Sequence, residues 1–182
     1  MNLPAPEPRI SPGQGPPQGS DVIAILDVHS ALTVTPEQKA RVLVVEDNLF
    51  VRAGVVKLLN RQSDLACCGE ADSIASTPSA MVETKPNLLL LDLQLKDGEA
   101  LGLIKMLKSQ RPAVPILVLS QADEGLYAER ALRAGADGFI MKQEAAGELL
   151  GAIRAVLLGK IYVSRAMAQR LPRDLRACSR IS

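Results

Sequence analysis

Four short apolar runs in this sequence each end on polar residues that could do chemistry. These residues are Glu46 and Asp47 after the first run, Asp92 after the second, Ser120 after the third and Lys142 after the fourth. In an open α/β sheet, the carboxyl ends of parallel strands gather along one edge, where such sheets bind their ligands. We therefore expect three carboxylates, a hydroxyl and an ammonium group to meet at one edge of a sheet.

The residue types at this edge indicate a metal and a phosphoryl group. Three neighbouring carboxylates repel each other, and oxygen-only ligands favour Mg²⁺, which usually takes one or two carboxylates directly. A metal there would draw a phosphoryl oxygen toward Asp92, while Lys142 would add a second positive charge and Ser120 a hydroxyl. This set matches phosphoryl transfer, in which a carboxylate can itself be the nucleophile and form an acyl phosphate.

From Arg41 onward, strand-length apolar runs alternate with amphipathic segments of helical length. The predicted strands lie near 41–46, 65–70, 87–92, 114–119 and 138–141, and the predicted helices near 48–61, 74–84, 99–110, 123–134 and 145–158. Pro86 and Pro112 follow helices that they cannot continue, and Gly135 suits a helix C-terminus. Five such units predict a doubly wound α/β fold, a parallel sheet with helices on both faces.

Composition narrows the class of protein. The chain has 182 residues, of which 47% are hydrophobic and 2% aromatic, and a net charge of +1. So few aromatic residues argue against a protein that stacks single-stranded bases. The apolar runs are too short to cross a bilayer, and the N-terminus lacks a signal-peptide pattern, so we expect a cytoplasmic protein.

The chain divides into three parts by composition. Residues 1–40 are rich in proline and glycine and contain a short apolar stretch, which predicts a disordered leader. Residues 41–160 carry the regular pattern, and residues 161–182 form a basic C-terminal tail. Cys67, Cys68 and Cys178 show neither a disulfide framework nor metal-ligand spacing.

Four motifs, in order along the chain, resemble the response-regulator receiver domain of two-component signalling. They are Val-Val-Glu-Asp-Asn at 44–48, Leu-Leu-Asp-Leu-Gln-Leu-Lys-Asp-Gly at 90–98, Val-Leu-Ser at 118–120 and Ala-Gly-Ala-Asp-Gly-Phe-Ile-Met-Lys at 134–142. The resemblance covers about residues 41–160 and implies a flavodoxin-like fold with five strands in the order 2-1-3-4-5. The sequence is most similar to the subclass whose receiver precedes a C-terminal helix-turn-helix.

The resemblance implies roles for individual residues at the metal and phosphoryl site. Asp92 would be the phosphoacceptor, and Glu46 and Asp47 would bind Mg²⁺ together with Asp92 and the backbone carbonyl of Gln94. Lys96 stands where the family usually has proline, so we expect a looser loop after Asp92.

Three more residues take part in the resemblance. Ser120 and Lys142 would assist the reaction at Asp92, and Ser120 and Phe139 would form the conformational switch.

The leading hypothesis is a signalling module that takes phosphate from a partner sensor histidine kinase or histidine phosphotransfer protein. The only histidine, His29, lies outside the regular pattern, so the donor histidine must belong to a partner. Such a module is no enzyme beyond self-phosphorylation and autodephosphorylation. Its expected output is a switched protein–protein surface, including a phosphorylation-dependent homodimer.

Two alternatives remain open. A Mg²⁺-dependent phosphohydrolase could use Asp92 as its nucleophile, although Gln94 stands where such phosphatases place a second acid. A DNA-binding transcriptional regulator that has lost its effector domain is the other alternative. Eighteen residues follow Ser164, too few for a helix-turn-helix, so we expect no sequence-specific DNA binding by this chain alone.

Overall fold

The computed structural model describes residues 39–144 and 146–171. Its strands are β1 (Ala40–Val45), β2 (Leu65–Ala71), β3 (Leu88–Asp92), β4 (Gln94–Leu95), β5 (Gly98–Glu99), β6 (Ile116–Ser120) and β7 (Gly138–Met141). Its helices are α1 (Leu49–Asn60), α2 (Thr77–Thr84), α3 (Leu101–Gln110), α4 (Glu124–Ala134), α5 (Ala146–Leu157) and α6 (Arg165–Arg170). Residues 1–38 of the leader predicted at 1–40 and the last part of the tail, 172–182, lie outside the described residues.

Five parallel strands form the main sheet in the order β2-β1-β3-β6-β7. Counted within this sheet alone, that is the predicted order 2-1-3-4-5, and the flavodoxin-like prediction is confirmed. The short strands β4 and β5 pair with each other in an antiparallel hairpin directly after β3.

Both faces of the sheet are buried, because alternate side chains of each strand point to opposite sides. In β3, Leu88 and Leu90 belong to the core on the α1 and α5 side. Leu89 and Leu91 belong to the core shared with α2, α3 and α4. Helices cover both faces of the sheet, which explains why its strands contain all-apolar runs.

Local capping sets the helix boundaries near the site. The Asn48 side chain accepts hydrogen bonds from the N–H groups of Phe50 and Val51, which begins α1 just after the first strand. Asp123 caps α4 in the same way, and Gly135 ends that helix at a φ of 107°, as predicted. The cap residues thus place helix starts at the carboxyl edge of the sheet.

Helix α6 lies in the segment that the sequence predicts as a basic tail. The structure shows this helix after α5, and Met167 and Leu171 bury their side chains against the core beside α4. None of the helices within 39–144 and 146–171 combines the length and the apolar character that crossing a bilayer requires.

Candidate functional site

The structure brings the predicted side chains to the carboxyl edge of the sheet. Glu46 directly follows β1, Asp92 and Ser120 are the last residues of β3 and β6, and Lys142 directly follows β7. Carboxylate oxygens of Glu46, Asp47 and Asp92 lie within 4.8 Å of one another. We call these three residues the site cluster.

Lys142 bridges two members of the site cluster. Its Nζ lies 2.6 Å from Glu46 Oε2 and donates a hydrogen bond of 2.7 Å to Asp92 Oδ2. Glu46 and Asp92 are buried, with exposed fractions of 2% and 5%. One ammonium group therefore faces two buried carboxylates, a geometry that neutralises charge in a place that water reaches poorly.

Burial and neighbouring charges shift the pKa values of Glu46 and Lys142. Burial raises the pKa of Glu46, and the nearby Asp92 raises it further, against the opposing effect of Lys142. Burial alone would lower the pKa of Lys142, but its hydrogen bonds to Asp92 and Glu46 raise it above its ordinary value. Lys142 is therefore held in the charged form, while Glu46 ionises less readily than an exposed glutamate.

The residues present fit a divalent cation. The site cluster offers carboxylate oxygens alone, the donor set that Mg²⁺ prefers. Glu46 Oε2 is buried and lies 2.6 Å from Lys142 Nζ. Lys142 supplies one positive charge against three neighbouring carboxylates, so the site cluster has negative charge left for a cation to neutralise.

Backbone groups orient the acids. The N–H of Asn48 donates to Glu46 Oε1 over 3.1 Å, and the N–H of Gln94 donates to Asp92 Oδ1 over 3.1 Å. Gln94 lies in β4, two residues past Asp92. The role predicted for its carbonyl as a metal ligand stays a prediction.

Arg52, which is not among the residues predicted for the site, holds the loop that carries the first two acids. Its Nη1 donates to the carbonyl oxygen of Glu46, and its Nε donates over 3.1 Å to Glu70 Oε2 at the end of β2. Because Glu70 comes from another strand, no spacing within the first motif points to this contact. Arg52 therefore ties β1, α1 and β2 together beneath the site cluster.

The two predicted switch residues are both fully buried. Ser120 accepts a hydrogen bond of 3.0 Å on Oγ from the N–H of Ala122, within the loop that leads to α4. Asp92 pairs in register with Leu119, so Ser120 lies one residue beyond it along the neighbouring strand. The Phe139 side chain has no exposed surface and packs in the core on the α3 and α4 side.

Side-chain contacts join the loop after Asp92 to the β2–α2 connection, and the looser loop expected from Lys96 stays a prediction. Lys96 forms an ion pair with Asp72. The Asp97 carboxylate accepts hydrogen bonds of 2.9 Å and 3.0 Å from the N–H groups of Ile74 and Ala75. At the position where the family usually has proline, Lys96 thus joins the loop to the β2–α2 connection through an ion pair.

A groove of about 370 Å³ runs between α1 and α5 and ends at Lys142. Phe50, Leu58 and Leu149 contribute apolar surface to it, and Lys57 contributes charge near its rim. Phe50 is 88% exposed, which is unusual for a large apolar side chain. Lys142 lines this open groove, whereas the three acids of the site cluster do not.

Comparison with known proteins identifies the family. The profile of the response regulator receiver domain matches residues 42–154. "Response regulator GacA" of Pseudomonas viridiflava is 32% identical over 131 residues, which are 72% of this chain and 61% of that protein. "Oxygen regulatory protein NreC" of Staphylococcus aureus (strain JH9) is 34% identical over 133 residues, again 72% of this chain and 61% of that protein.

A solved structure gives the same result. The LuxR-family two-component response regulator from Aurantimonas sp. SI85-9A1 is 28% identical, with a TM-score of 0.69 over 75% of this chain and 98% of that chain. The chain spans about 61% of the length of the two curated relatives, so the similarity concerns their receiver portions. The chain belongs to the response regulator receiver domain family, and its folded domain is a receiver of two-component signalling.

Proposed function

We propose that Asp92 accepts a phosphoryl group from a phosphohistidine of a partner protein. One carboxylate oxygen of Asp92 forms the new O–P bond, the N–P bond of the donor breaks, and the released imidazole takes up a proton. The single observation that carries this proposal is the geometry of Asp92, which shares its edge with two further acids and lies 2.7 Å from Lys142 Nζ. The module is a phosphoacceptor, whose own chemistry is limited to self-phosphorylation and autodephosphorylation.

Mg²⁺ would be held by Glu46, Asp47, Asp92 and the backbone carbonyl of Gln94. When bound, the ion would supply the positive charge that lets an anionic phosphoryl group approach the acids. The cluster of oxygens within 4.8 Å supports this assignment.

The chain's own residues would divide the remaining work. Lys142 already contacts Asp92 and would hold oxygens of the phosphoryl group. Ser120 would turn its hydroxyl from the N–H of Ala122 toward the phosphoryl group. That movement would free space into which Phe139 could turn, so phosphate would change the surface around β7.

The partner would be a sensor histidine kinase or a histidine phosphotransfer protein. The apolar groove between α1 and α5 supports this because it leads from solvent to Lys142 and carries the exposed Phe50. We place the reaction in the cytoplasm, and the free thiols of Cys67 and Cys68 suit a reducing compartment.

The output would be protein contact, including a phosphorylation-dependent homodimer, without sequence-specific DNA reading by this chain alone. Sedimentation with and without a phosphoryl mimic tests the dimer. Anisotropy against unrelated duplexes at physiological salt tests DNA reading, and tight binding that discriminates between duplexes would contradict the proposal.

A small acyl phosphate with Mg²⁺ tests the chemistry directly. We expect the wild-type chain to take up about one phosphoryl group and to require Mg²⁺ for it. Asp92→Asn should abolish this labelling, and Asp64→Asn, an identical change at the exposed start of β2, should leave it intact. Unchanged labelling of Asp92→Asn would refute the proposal, and multiple turnover of phosphate esters would favour the phosphohydrolase instead.

A further inference from the structure

The segment of residues 160–171, which follows α5, is bound to the face formed by α4 and β7. We call this segment the strap. Its Tyr162 forms a parallel bridge with Gly138 at the start of β7. The N–H of Phe139 donates to the Tyr162 carbonyl over 2.7 Å, and the N–H of Tyr162 donates to the Asp137 carbonyl over 3.1 Å. The strap therefore extends the sheet by one short stretch beyond its edge strand.

A second contact joins the strap to the first turn of α4. The N–H of Ser164 donates to Glu124 Oε1 over 2.9 Å, and the Ser164 hydroxyl donates to Glu124 Oε2. The same Ser164 oxygen accepts from the N–H of Met167 and so begins α6. One serine thus starts the strap helix and attaches it to α4.

Apolar burial completes the contact. Met167 and Leu171 are 4% and 2% exposed and belong to the same core cluster as Ala128, Leu132 and Phe139. At Gly125 a side chain would come within 3.2 Å of Arg170 Nη1, so α6 lies close against the backbone of α4. The strap is therefore packed as part of the domain.

The strap holds the two elements that the proposed switch must move. Glu124 lies four residues after Ser120, at the end of the loop in which Ser120 now accepts from Ala122. Phe139, the other switch residue, gives its own backbone N–H to the strap. A shift of the β6–α4 loop toward Asp92 would carry Glu124 away from Ser164, and a turn of Phe139 would disturb the packing of Met167.

We infer that the α4–β7 face is a docking surface for the chain's own strap, and that the docked strap and the phosphorylated site oppose each other. The strap stabilises the conformation in which Ser120 bonds its own loop, and phosphate on Asp92 releases the strap. This inference rests on the proposed function. Coupling of this kind is reciprocal: if phosphate weakens docking, then loss of docking strengthens binding of phosphate to the same degree.

The first test measures docking itself. Hydrogen exchange of the full chain is followed by mass spectrometry with Mg²⁺, with and without beryllium fluoride as the phosphoryl mimic. We expect peptides covering 160–171 to exchange about fivefold faster with the mimic, at the lower end of common coupling strengths. Peptides covering β1 should not loosen, and Asp92→Asn should show no response to the mimic.

The second test measures the reciprocal effect with a matched pair of variants. Met167→Glu places a charge on the buried side of α6, and Ala166→Glu places the same charge on its exposed side. We expect Met167→Glu to bind the mimic about fivefold more tightly than Ala166→Glu. Ser164→Ala removes the hydroxyl bond to Glu124 and the cap of α6 but keeps the backbone N–H bond and the core side chains. It should shift affinity in the same direction and serves if Met167→Glu does not fold.

The outcomes separate this inference from the proposed function. Normal binding of the mimic by the wild-type chain, with unchanged exchange in 160–171 and equal affinities in Met167→Glu, Ala166→Glu and Ser164→Ala, would overturn the strap and leave the proposed function intact. Failure of the wild-type chain to bind the mimic, together with failure of acyl-phosphate labelling, would overturn both.

Discussion

Two groups of three carboxylates lie on this domain, and their surroundings differ. The site cluster lies at the carboxyl edge of the sheet, and a surface cluster lines a cleft beside Tyr162 and Arg165. The members of the surface cluster are Glu124, Glu144 and Glu148. In the site cluster, two of the three acids are buried and face one lysine. In the surface cluster, Glu144 and Glu148 are exposed to water.

The difference shows what makes acids chemically useful. Burial raises the pKa of Glu46, and Lys142 is held among the acids as a permanent counter-charge. In the surface cluster, the pKa of Glu144 is raised by the hydrogen bond that protonated Glu144 donates to Glu148 and by the negative charge of Glu148, and both side chains are exposed to water. The repulsion between carboxylates is therefore strong in the buried site cluster, whereas water and salt screen it in the exposed surface cluster.

The largest effect should follow from removing the counter-charge. Lys142→Ala leaves Glu46 and Asp92 buried without their cation, and we expect a loss of about 2 kcal/mol in the free energy of unfolding at neutral pH. Lys96→Ala, which breaks an exposed pair with Asp72, should cost at most about 0.5 kcal/mol. Urea unfolding measures both, and Mg²⁺ should restore part of the loss in Lys142→Ala alone. Equal losses in the two variants would contradict the distinction between buried and exposed pairs.

The next effect concerns metal affinity. Asp47→Ala removes a carboxylate from the site cluster and should weaken Mg²⁺ binding at least about tenfold, or about 1.4 kcal/mol. Glu148→Ala removes a carboxylate from the surface cluster and should leave Mg²⁺ affinity unchanged. Isothermal titration measures both dissociation constants. A similar loss in Glu148→Ala would mean that the two clusters bind the ion alike.

A smaller effect should come from the clamp beneath the site cluster. Arg52→Ala removes the hydrogen bond to the Glu46 carbonyl, and we expect about threefold weaker Mg²⁺ binding, since one such bond is worth about 1 kcal/mol or less. Arg52→Lys can reach the carbonyl but cannot also hold Glu70 with a guanidinium fork, so its affinity should be intermediate. If both variants bind Mg²⁺ like the wild type, Arg52 does not position the acids.

The smallest effect should appear at the surface cluster as a pH dependence. The folded-state pKa of Glu144 is raised above its ordinary 4.5. Its contribution to stability is therefore fully present below that ordinary value and is lost as pH rises through the raised value. Glu148→Gln should remove the cause, so the variant should lose less stability than the wild type over this pH window. Thermal unfolding at a series of pH values checks this, and identical pH profiles would show that water screens the pair completely.

The fold and the position of the site cluster could be predicted because they follow from the pattern of apolar and polar residues within short stretches of the sequence. A run such as Leu88–Leu91 is buried on both sides, so it indicates a central strand, and the carboxylate that follows it must surface at the strand end. Parallel connections then bring strand ends together without further information. Gly135 is predictable for the same reason, since its left-handed conformation is a local property of helix ends.

The strap and the Arg52 clamp could not be predicted because they depend on distant pairs. Tyr162 meets Gly138, and Ser164 meets Glu124 forty residues away. No periodicity links such residues, and a six-residue helix with basic ends has the composition of a solvated tail. The ion pair between Lys96 and Asp72 was unpredictable for a similar reason, because the two residues lie on different connections.

The backbone pairing of Tyr162 limits how two copies of the protein can associate through the edges of their sheets. Strand β7 is the last strand of its sheet, and an uncovered edge offers a template for strand addition by another chain. The strap occupies the N–H of Phe139 and the carbonyl of Asp137, two of the groups that such an addition would use. At Gly138 even a methyl group would come within 2.9 Å of the Tyr162 carbonyl oxygen, so glycine is what lets the strap lie flat on the edge. Gly138→Ala should therefore favour intermolecular pairing along β7 and make the protein more prone to aggregate.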